Sequence, residues 1–464
     1  MTPRAVIVGG GITGLSAAYY LNKAGIPSLL IERRPRLGGV VTTEVVDDCI
    51  IEGGPDSFLA AKPWALELIR ELGLADEVIG SNDHLRVTYV LRRGRLVPLP
   101  DGLMMMIPTR IAPMIATPLL GWGTKFRMLF ELFRRPGRTS PGDRSVADFV
   151  RDHYGQEAVD YLAEPLLAGV YGGDPRRLSV ASVLPRFVEL ERRYGSLTRG
   201  VLAAMKKARA EAAGKPLFQT LKGGLGRLTE AIERAIAGAC EPVHAQAEAL
   251  DRGQSGWRVR AGGQWIAAEA LVLACPAYEA AALLRNTAPG LARELESIPY
   301  SSSMTVALGY ERAGFSHHLG GFGFLVPARE RKRLVACTWV GTKFPYRVSD
   351  SRVLLRCFLG GAEDAAVLEE PDETVIAMVR EELRRIMGVT ETPVFARIHR
   401  WPRSMAQYTV GHGERVKRIE QETAKLQGLH LAGNAYHGIG IPDCIRTGKQ
   451  AAEEIAASLG KASF

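Results

Sequence analysis

The chain has little cysteine, few aromatic residues and no long apolar run, and each shortage removes a class of protein. Its six cysteines, Cys49, Cys240, Cys275, Cys337, Cys357 and Cys444, stand far apart with no C-x-x-C pair. Neither a zinc cluster nor a dithiol redox centre is signalled, and a reducing cytoplasm is the expected compartment. No stretch reaches the roughly 20 uninterrupted apolar residues of a spanning helix. The opening MTPRAVIVGGG enters a strand at once, without the charged region, apolar run and cleavage site of a secretory signal. Aromatic residues are 7% of the chain and do not interleave with its basic clusters, so a stacking platform for single-stranded nucleic acid is not expected. Acidic residues are also in deficit: 59 Lys and Arg against 50 Asp and Glu leave a net charge of +9. The excess favours anionic partners weakly. Its clusters (Arg33, Arg34 and Arg36; Arg92, Arg93 and Arg95; Arg134, Arg135 and Arg138; Arg329, Arg331, Lys332 and Arg333) read as solvated surface.

What is present is a folded chain of 464 residues, 46% hydrophobic and 23% charged, with room for roughly three domains of about 150 residues. Residues 4–9 read as a strand, Leu15 to Ala24 as a helix and Pro27 to Glu32 as a second strand, a β-α-β start for a parallel sheet. Arg86 to Pro98 alternate around an Arg93-Gly94 hairpin turn. Residues 102–133 are the least polar segment, broken by Pro108, Pro113 and Pro118. They read as buried helices and loops or, more sharply, as a patch that dips into a bilayer beside basic residues. Segments 143–155, 157–168 and 180–213 read as helical, and the pattern returns to α/β from residue 225. The fold class expected is α/β: a discontinuous Rossmann-like domain (1–85, 215–285 and 395–464), an α+β substrate domain with a mixed or antiparallel sheet (86–100 and 286–394), and a helical insertion at 101–214 that contacts a membrane on the sharper reading.

The strongest local signal is VIVGGGITGLSAAYYL, in which Gly9, Gly11 and Gly14 match G-x-G-x-x-G between strand and helix. Gly9 permits the turn, Gly11 lets the backbone approach a pyrophosphate, Gly14 allows close helix packing, and Glu32 ends the next strand where it can accept ribose hydroxyls. A second turn, Arg36-Leu37-Gly38-Gly39, follows at once, and no second G-x-G-x-x-G could host a separate nicotinamide. Near the C-terminus Gly433, Asn434, Gly438, Gly440 and Asp443 lie between a strand and a helix start, where helix amides can stabilise charge on a reduced flavin. FAD spanning both ends of the chain fits better than a diffusible NAD.

Over nearly its whole length the chain resembles the bacterial FAD-dependent porphyrinogen oxidases, the protoporphyrinogen and coproporphyrinogen oxidases, within the monoamine oxidase-like flavoproteins. The resemblance is carried by Gly9 to Gly14, EGGPDSFL at 52–59, YVLRRGRLVPLP at 89–100, GVYGGDPRRLS at 169–179, GFGFLVP at 321–327 and GNAYHGIGIPDCI at 433–445. It implies FAD contacts at Gly9, Gly11, Gly14, Glu32, Arg36, Gly38, Gly39, Gly53, Gly54, Pro55, Val243, Gly433, Ile439 and Asp443. It implies tetrapyrrole contacts at Gly169, Phe322, Leu325 and Phe358, where glycine permits close approach and the apolar side chains offer flat surfaces. Without it, Phe322, Leu325 and Phe358 read equally as core.

Two positions depart from the family pattern. Thr88 stands where many relatives place an Arg that pairs with a substrate propionate, and Arg86, two residues earlier and so expected on the same strand face, is the nearest substitute or else a surface residue. Asp56 stands where some animal relatives have an Arg. His437 reads as a turn histidine or a base, and no catalytic acid, triad or metal site is assigned.

The resemblance implies an oxygen-dependent six-electron oxidation of protoporphyrinogen IX to protoporphyrin IX in haem biosynthesis, with hydrogen peroxide as by-product. Coproporphyrinogen III is the alternative substrate, and an amine or polyene oxidase or a non-catalytic flavoprotein scaffold is more distant. Dioxygen is the implied acceptor. The implied location is the cytoplasm, with peripheral contact at the inner face of the cell membrane and handover to the next haem-pathway enzyme.

Overall fold

The computed structural model describes residues 3–137, 142–208, 216–253 and 256–460. Its first sheet is parallel, with strands Pro242–His244, Ser28–Glu32, Ala5–Val8, Ala270–Leu273 and Leu429–Leu431 side by side in that order. AVIV and ALVL are buried at every position, because a parallel sheet is covered on both faces and its central strands read as continuous apolar runs. Helices Ile12–Lys23, Gly226–Ile236 and Ile441–Ser458 cover one face around Ile7, Leu30 and Val272. On the other, the antiparallel ribbon Ala247–Gly253, Gly256–Ala261, Gln264–Ala268 and helices Ala277–Leu284 and Pro289–Glu296 pack on Val6 and Val8.

A second sheet has seven strands in the order Phe395–Ala406, Tyr300–Glu311, Arg352–Gly361, Ala336–Trp339, Gly323–Leu325, Thr88–Arg92, Arg95–Pro98. Helix Asp372–Met387 buries Val375, Val379 and Leu383 against Leu308, Phe324, Leu355 and Cys357 on one face. Side chains alternate across a strand, so Thr305, Ala307, Arg356 and Phe358 point to the opposite face. Strand Phe395–Ala406, placed with the nucleotide-binding part in the sequence reading, is hydrogen-bonded to Tyr300–Glu311 in this sheet. Its five charged or polar residues, Arg397, His399, Arg400, Arg403 and Ser404, and Pro402 hide the strand signal, and an edge position tolerates them.

The helical insertion begins after the hairpin. The segment expected to be helical over 180–213 forms three helices, Val180–Val183, Pro185–Tyr194 and Leu197–Ala208, with breaks at Pro185 and at Gly195, whose φ is +72°; residues 209–213 lie outside the described residues, as does Arg138. Between Gln156 and Tyr171 the helix widens into a π-type turn at Val159–Ala163, just before Pro165, which cannot donate its own helical hydrogen bond. Buried Glu131 ties the insertion together by accepting from the Leu197 and Thr198 amides and Ser196 Oγ at the start of helix Leu197–Ala208, and by pairing with His153 at 2.9 Å.

Segment 102–133 turns Met114, Leu119, Leu120 and Met128 into this core. Its outer side carries Ile111 and Ile115 on one short helix, Trp122, Phe126, Leu129 and Phe130 on the next, Trp122–Glu131, and Phe133 in the turn just after it, Phe130 68% and Phe133 73% exposed. Among the described residues no helix is long and apolar enough to cross a membrane.

Helices Ile12–Lys23 and Ile441–Ser458 cross closely at Gly448, where a Cβ would stand 2.3 Å from the Thr13 carbonyl oxygen. Gly448→Ala is expected to push helices Ile12–Lys23 and Ile441–Ser458 apart, cost about 2 kcal/mol and loosen any ligand held at their N-termini; thermal melts with and without added FAD check both.

Candidate active site

Two glycine turns meet at the carboxyl ends of the parallel strands. Gly9 has φ +107° and a Cβ there would lie 2.9 Å from the Ala274 backbone, while a Cβ on Gly14 would lie 1.9 Å from the Gly9 oxygen. Both positions exclude side chains. Gly11, the N-cap of helix Ile12–Lys23, faces open space. The second turn is bridged to it: Gly38 N–H donates to the Gly10 carbonyl at 2.8 Å, Gly38 has φ +96°, and a Cβ on Gly39 would lie 3.0 Å from Gly11 Cα. Glu32 is buried and fixed by the Gly10 amide at 2.7 Å and the Arg34 amide at 2.8 Å. Arg36 donates to the Leu37 and Gly39 carbonyls, and burial lowers its pKa. Val243 lies on the outer strand of the same sheet, opposite Ile31.

Gly433, φ +131°, also faces open space, at the end of strand Leu429–Leu431. Pro442, near the N-terminus of helix Ile441–Ser458, follows Gly440 and Ile441. Asp443 caps that helix through the Gly440 amide at 3.3 Å and pairs with Lys62 at 2.5 Å. A Cβ on Gly438 would lie 2.3 Å from the Asp443 carboxyl carbon, so this carboxylate shapes the turn from inside. Ile439 is half-buried beside it. Tyr408 Oη donates to the Asn434 carbonyl and receives the Gly438 amide, whereas the buried Tyr436 hydroxyl has no protein partner.

Between the two sheets runs the loop Glu52 to Asp56, held on both sides of Pro55. Gly53 carbonyl accepts Thr305 Oγ1 at 2.8 Å and Trp401 Nε1 at 2.7 Å, and Gly54 carbonyl accepts Arg356. A Cβ would lie 2.5 Å from His399 at Gly53 and 1.9 Å from the Val40 oxygen at Gly54; Pro55 follows, half-buried. Glu52 pairs with Arg347 at 2.8 Å, each side chain 1% exposed; burial raises the Glu52 pKa against the pull of Arg347. Asp56 is also driven upward by burial, but Lys343 at 2.8 Å and Arg356 outweigh this and hold its carboxyl well below the usual range.

The second sheet presents an ordered face to this loop. Thr305, Phe358, Ala336, Leu325 and Val90 are register partners across five strands, forming one row. The adjacent row is Ala307, Arg356, Thr338, Gly323 and Thr88. Gly169 on helix Glu164–Tyr171 lies over the first row, a Cβ there standing 3.3 Å from Leu325 Cδ2. Phe358 and Leu325 are half-buried, and Phe322 is buried just before the strand, its amide donating to the Val87 carbonyl. Arg356 lies over the Phe358 ring, 4.7 Å from its centroid.

Arg86 does not share this face. It is exposed and follows the 3₁₀ turn Asp83–Leu85, and the strand begins at Thr88. Asp83 draws the chain into that turn by accepting Ser81 Oγ at 2.7 Å and the Leu217 amide at 2.9 Å. The cations on the loop side are instead Arg347, Arg356 and Lys343, which sequence reasoning missed. For Arg356 a signal existed: it is two residues before Phe358 in an alternating strand and so shares its face.

The cradle fits FAD. Space opens before Gly11 and Gly433, the amides of two helix N-termini border it, and Tyr436 Oη and Arg356 Nε lack partners nearby. Comparison with known proteins decides the family. The model for flavin-containing amine oxidoreductases matches residues 12–456. A coproporphyrinogen III oxidase of Bacillus subtilis is 34% identical, with 97% of each chain covered. A solved structure from Exiguobacterium sp. 255-15, assigned as a protoporphyrinogen oxidase, superposes with a TM-score of 0.88 at 32% identity over 99% of both chains. The chloroplastic protoporphyrinogen oxidase of Nicotiana tabacum is 27% identical over 99% of this chain and 86% of its own. The chain belongs to the bacterial FAD-dependent porphyrinogen oxidases.

In this oxidase Gly9, Gly11, Gly14, Gly38 and Gly39 would face the pyrophosphate, and Arg36 would offset its charge. Loop 53–55 and the 433–439 turn border the space between cradle and sheet. The closing turn is itself supported by His412, whose ring stacks on Tyr408 at 3.9 Å and whose Nε2–H donates to the Tyr436 carbonyl at 3.3 Å. Nδ1 is buried without a partner, and burial lowers the His412 pKa to about 4. Unfolded, the same histidine titrates near 6.5, so the unfolded chain takes up the proton first as pH falls. Stability contributed by neutral His412 is present above about pH 6.5 and is lost toward pH 4, at up to about 1.4 kcal/mol per pH unit. Melting temperatures of parent and His412→Gln between pH 7.5 and 4.5 should show a shallower decline in the variant; parallel declines would assign the loss to other groups.

Proposed function

We propose that this enzyme oxidises coproporphyrinogen III to coproporphyrin III, with dioxygen as final acceptor. The observation that carries the substrate is the full-length similarity to the B. subtilis protein, which is a coproporphyrinogen III oxidase; similarity to the tobacco protoporphyrinogen oxidase is lower. The protoporphyrinogen preference of the sequence reading gives way to it, since that preference rested on no located charge.

Bound FAD supplies the two-electron acceptor for each of the three oxidations that convert a porphyrinogen to a porphyrin. The protein's part is to hold the macrocycle. The Thr305 to Val90 row gives it a flat floor, and Gly169 lets the helix above approach without a side chain. Rigid strands keep that floor at fixed distance from the 53–55 loop, and the enclosed apolar setting keeps bulk water out. Arg356 and Lys343 supply fixed positive charge beside the loop, partly offset by Asp56.

With FAD-loaded protein under air, porphyrin fluorescence should appear with a kcat/KM about tenfold higher for coproporphyrinogen III than for protoporphyrinogen IX, the order expected for additional charge-assisted contacts. A preference for protoporphyrinogen IX would overturn the substrate, and no enzyme-dependent rate with either would overturn the reaction.

We further propose a peripheral membrane contact through helix Trp122–Glu131. The contiguous exposed face of Trp122, Phe126, Phe130 and Phe133, with Lys125 and Arg134 beside it, supports this reading. Sedimentation with anionic phospholipid vesicles should capture the parent, and a Phe126→Asp, Phe130→Asp variant should stay in solution; equal partition would overturn the contact.

A further inference from the structure

A cavity of about 390 Å³ lies where three strands of the second sheet reach the same edge: the end of Gly323–Leu325, the start of Ala336–Trp339 and the end of Arg352–Gly361. Gly360 and Val335 line it on the sheet side, and Ala168 and Gly172 on the side of helix Glu164–Tyr171. Gly360 is two residues beyond Phe358 on the same strand, and Ala168 precedes Gly169. The cavity is therefore the next step outward along the floor described above. From the Arg356 row to Gly360 is four residues, about 13 Å at strand rise.

Three ion pairs cross this opening, each joining the insertion to the sheet. Arg331 pairs with Glu164 at 2.6 Å, Arg329 with Asp160 at 2.7 Å and Arg176 with Glu363 at 2.5 Å. The π-type turn carries Asp160, and Glu164 follows it directly. The pairs are not equivalent. Arg331 is 14% exposed and also donates twice to the Val326 carbonyl, so it is built into the wall. Arg176 and Arg329 are 68% and 59% exposed. Arg176 uses Nε on Asp174 and Nη2 on Glu363, leaving Nη1 free; Arg329 uses only Nη1 in hydrogen bonding. The opening holds three arginines against four carboxylates, Asp160, Glu164, Asp174 and Glu363. Without a ligand every cation there is already answered by an acid.

The geometry points to a carboxylate-binding mouth, in which Arg176 and Arg329, on opposite walls, receive the propionates of a porphyrinogen whose ring lies on the Phe358 and Leu325 floor. This rests on the porphyrinogen reading above. Planar guanidinium groups with free donors suit flexible carboxylates. Glu363 and Asp160 are the competitors a propionate must displace, so they select for substrates with carboxylates on the outward edge and close the opening when none is bound. Sequence reading placed Arg329 and its neighbours on solvated surface; the fold sets them opposite the insertion.

The test is steady-state kinetics of full-length, FAD-loaded enzyme with coproporphyrinogen III, together with fluorescence titration of the product, coproporphyrin III. Arg176→Ala and Arg329→Ala should each raise KM about tenfold with a much smaller change in kcat, and weaken product binding similarly. Arg176→Lys should recover part of the loss. Glu363→Gln and Asp160→Asn should lower KM about threefold, because they free the arginines. A purely structural bridge gives the opposite sign for the acid variants, so a raised KM in Glu363→Gln would overturn the mouth, as would arginine variants within twofold of parent. If the parent oxidises neither porphyrinogen, the proposed reaction fails, and the titration still decides the mouth: lost affinity in the arginine variants supports it, equal affinity overturns it.

Discussion

The buried pairing of Glu52, at the end of strand Cys49–Glu52, with Arg347 in the 3₁₀ turn Pro345–Arg347 anchors the loop that runs between the two large sheets, and the geometry of the active site depends on that anchor. Neither group has water to turn to. Glu52 ends its strand next to Gly53, and Arg347 also donates to the Asp56 and Leu221 carbonyls and to Thr220 Oγ1. Removing one partner of such a pair leaves an uncompensated buried charge, costing about 3–5 kcal/mol. Its effect on the molecule is positional: with Glu52 pinned, the carbonyls of Gly53 and Gly54 meet Thr305, Trp401 and Arg356 from the other sheet, and loop and floor become one rigid unit.

Steric exclusion does complementary work at the cradle. Gly9 and Gly14 leave no room for a side chain because backbone from the same domain fills it, whereas Gly11 and Gly433 face open space. The first pair fixes the turn and the second leaves a path for a ligand. Glu32 is oriented by two amides before any ribose arrives. Such preorganisation lowers the cost of ordering the site on binding. The substrate side follows the same rule, with register fixing Phe358, Ala336 and Leu325 in a row and Gly169 clearing the space above.

Local sequence carried much of this. The alternation of strand, glycine turn and helix over the first 32 residues is a short-range pattern, and its chemistry is set by backbone sterics that do not depend on the remaining chain. The same holds for the C-terminal glycine turn. Strand Phe395–Ala406 was hidden because an edge strand need not alternate, and the helical reading over 180–213 did not mark the breaks that Pro185 and Gly195 impose. Arg86 was misplaced by assuming a strand two residues longer than Asp83 allows.

The sequence by itself determined the dinucleotide cradle, the preference for FAD and the family, because these are written in contiguous residues whose spacing mirrors the ligand. Only the tertiary structure decided which charges face one another. Arg176, Arg329 and Arg356 are separated by up to 180 residues, and whether each meets water, an acid or an aromatic ring depends on strand register and on where the insertion folds back. Electrostatic energy falls with distance in space and is indifferent to distance along the chain, so charge recognition could be read only after the sheets and helices had been brought together.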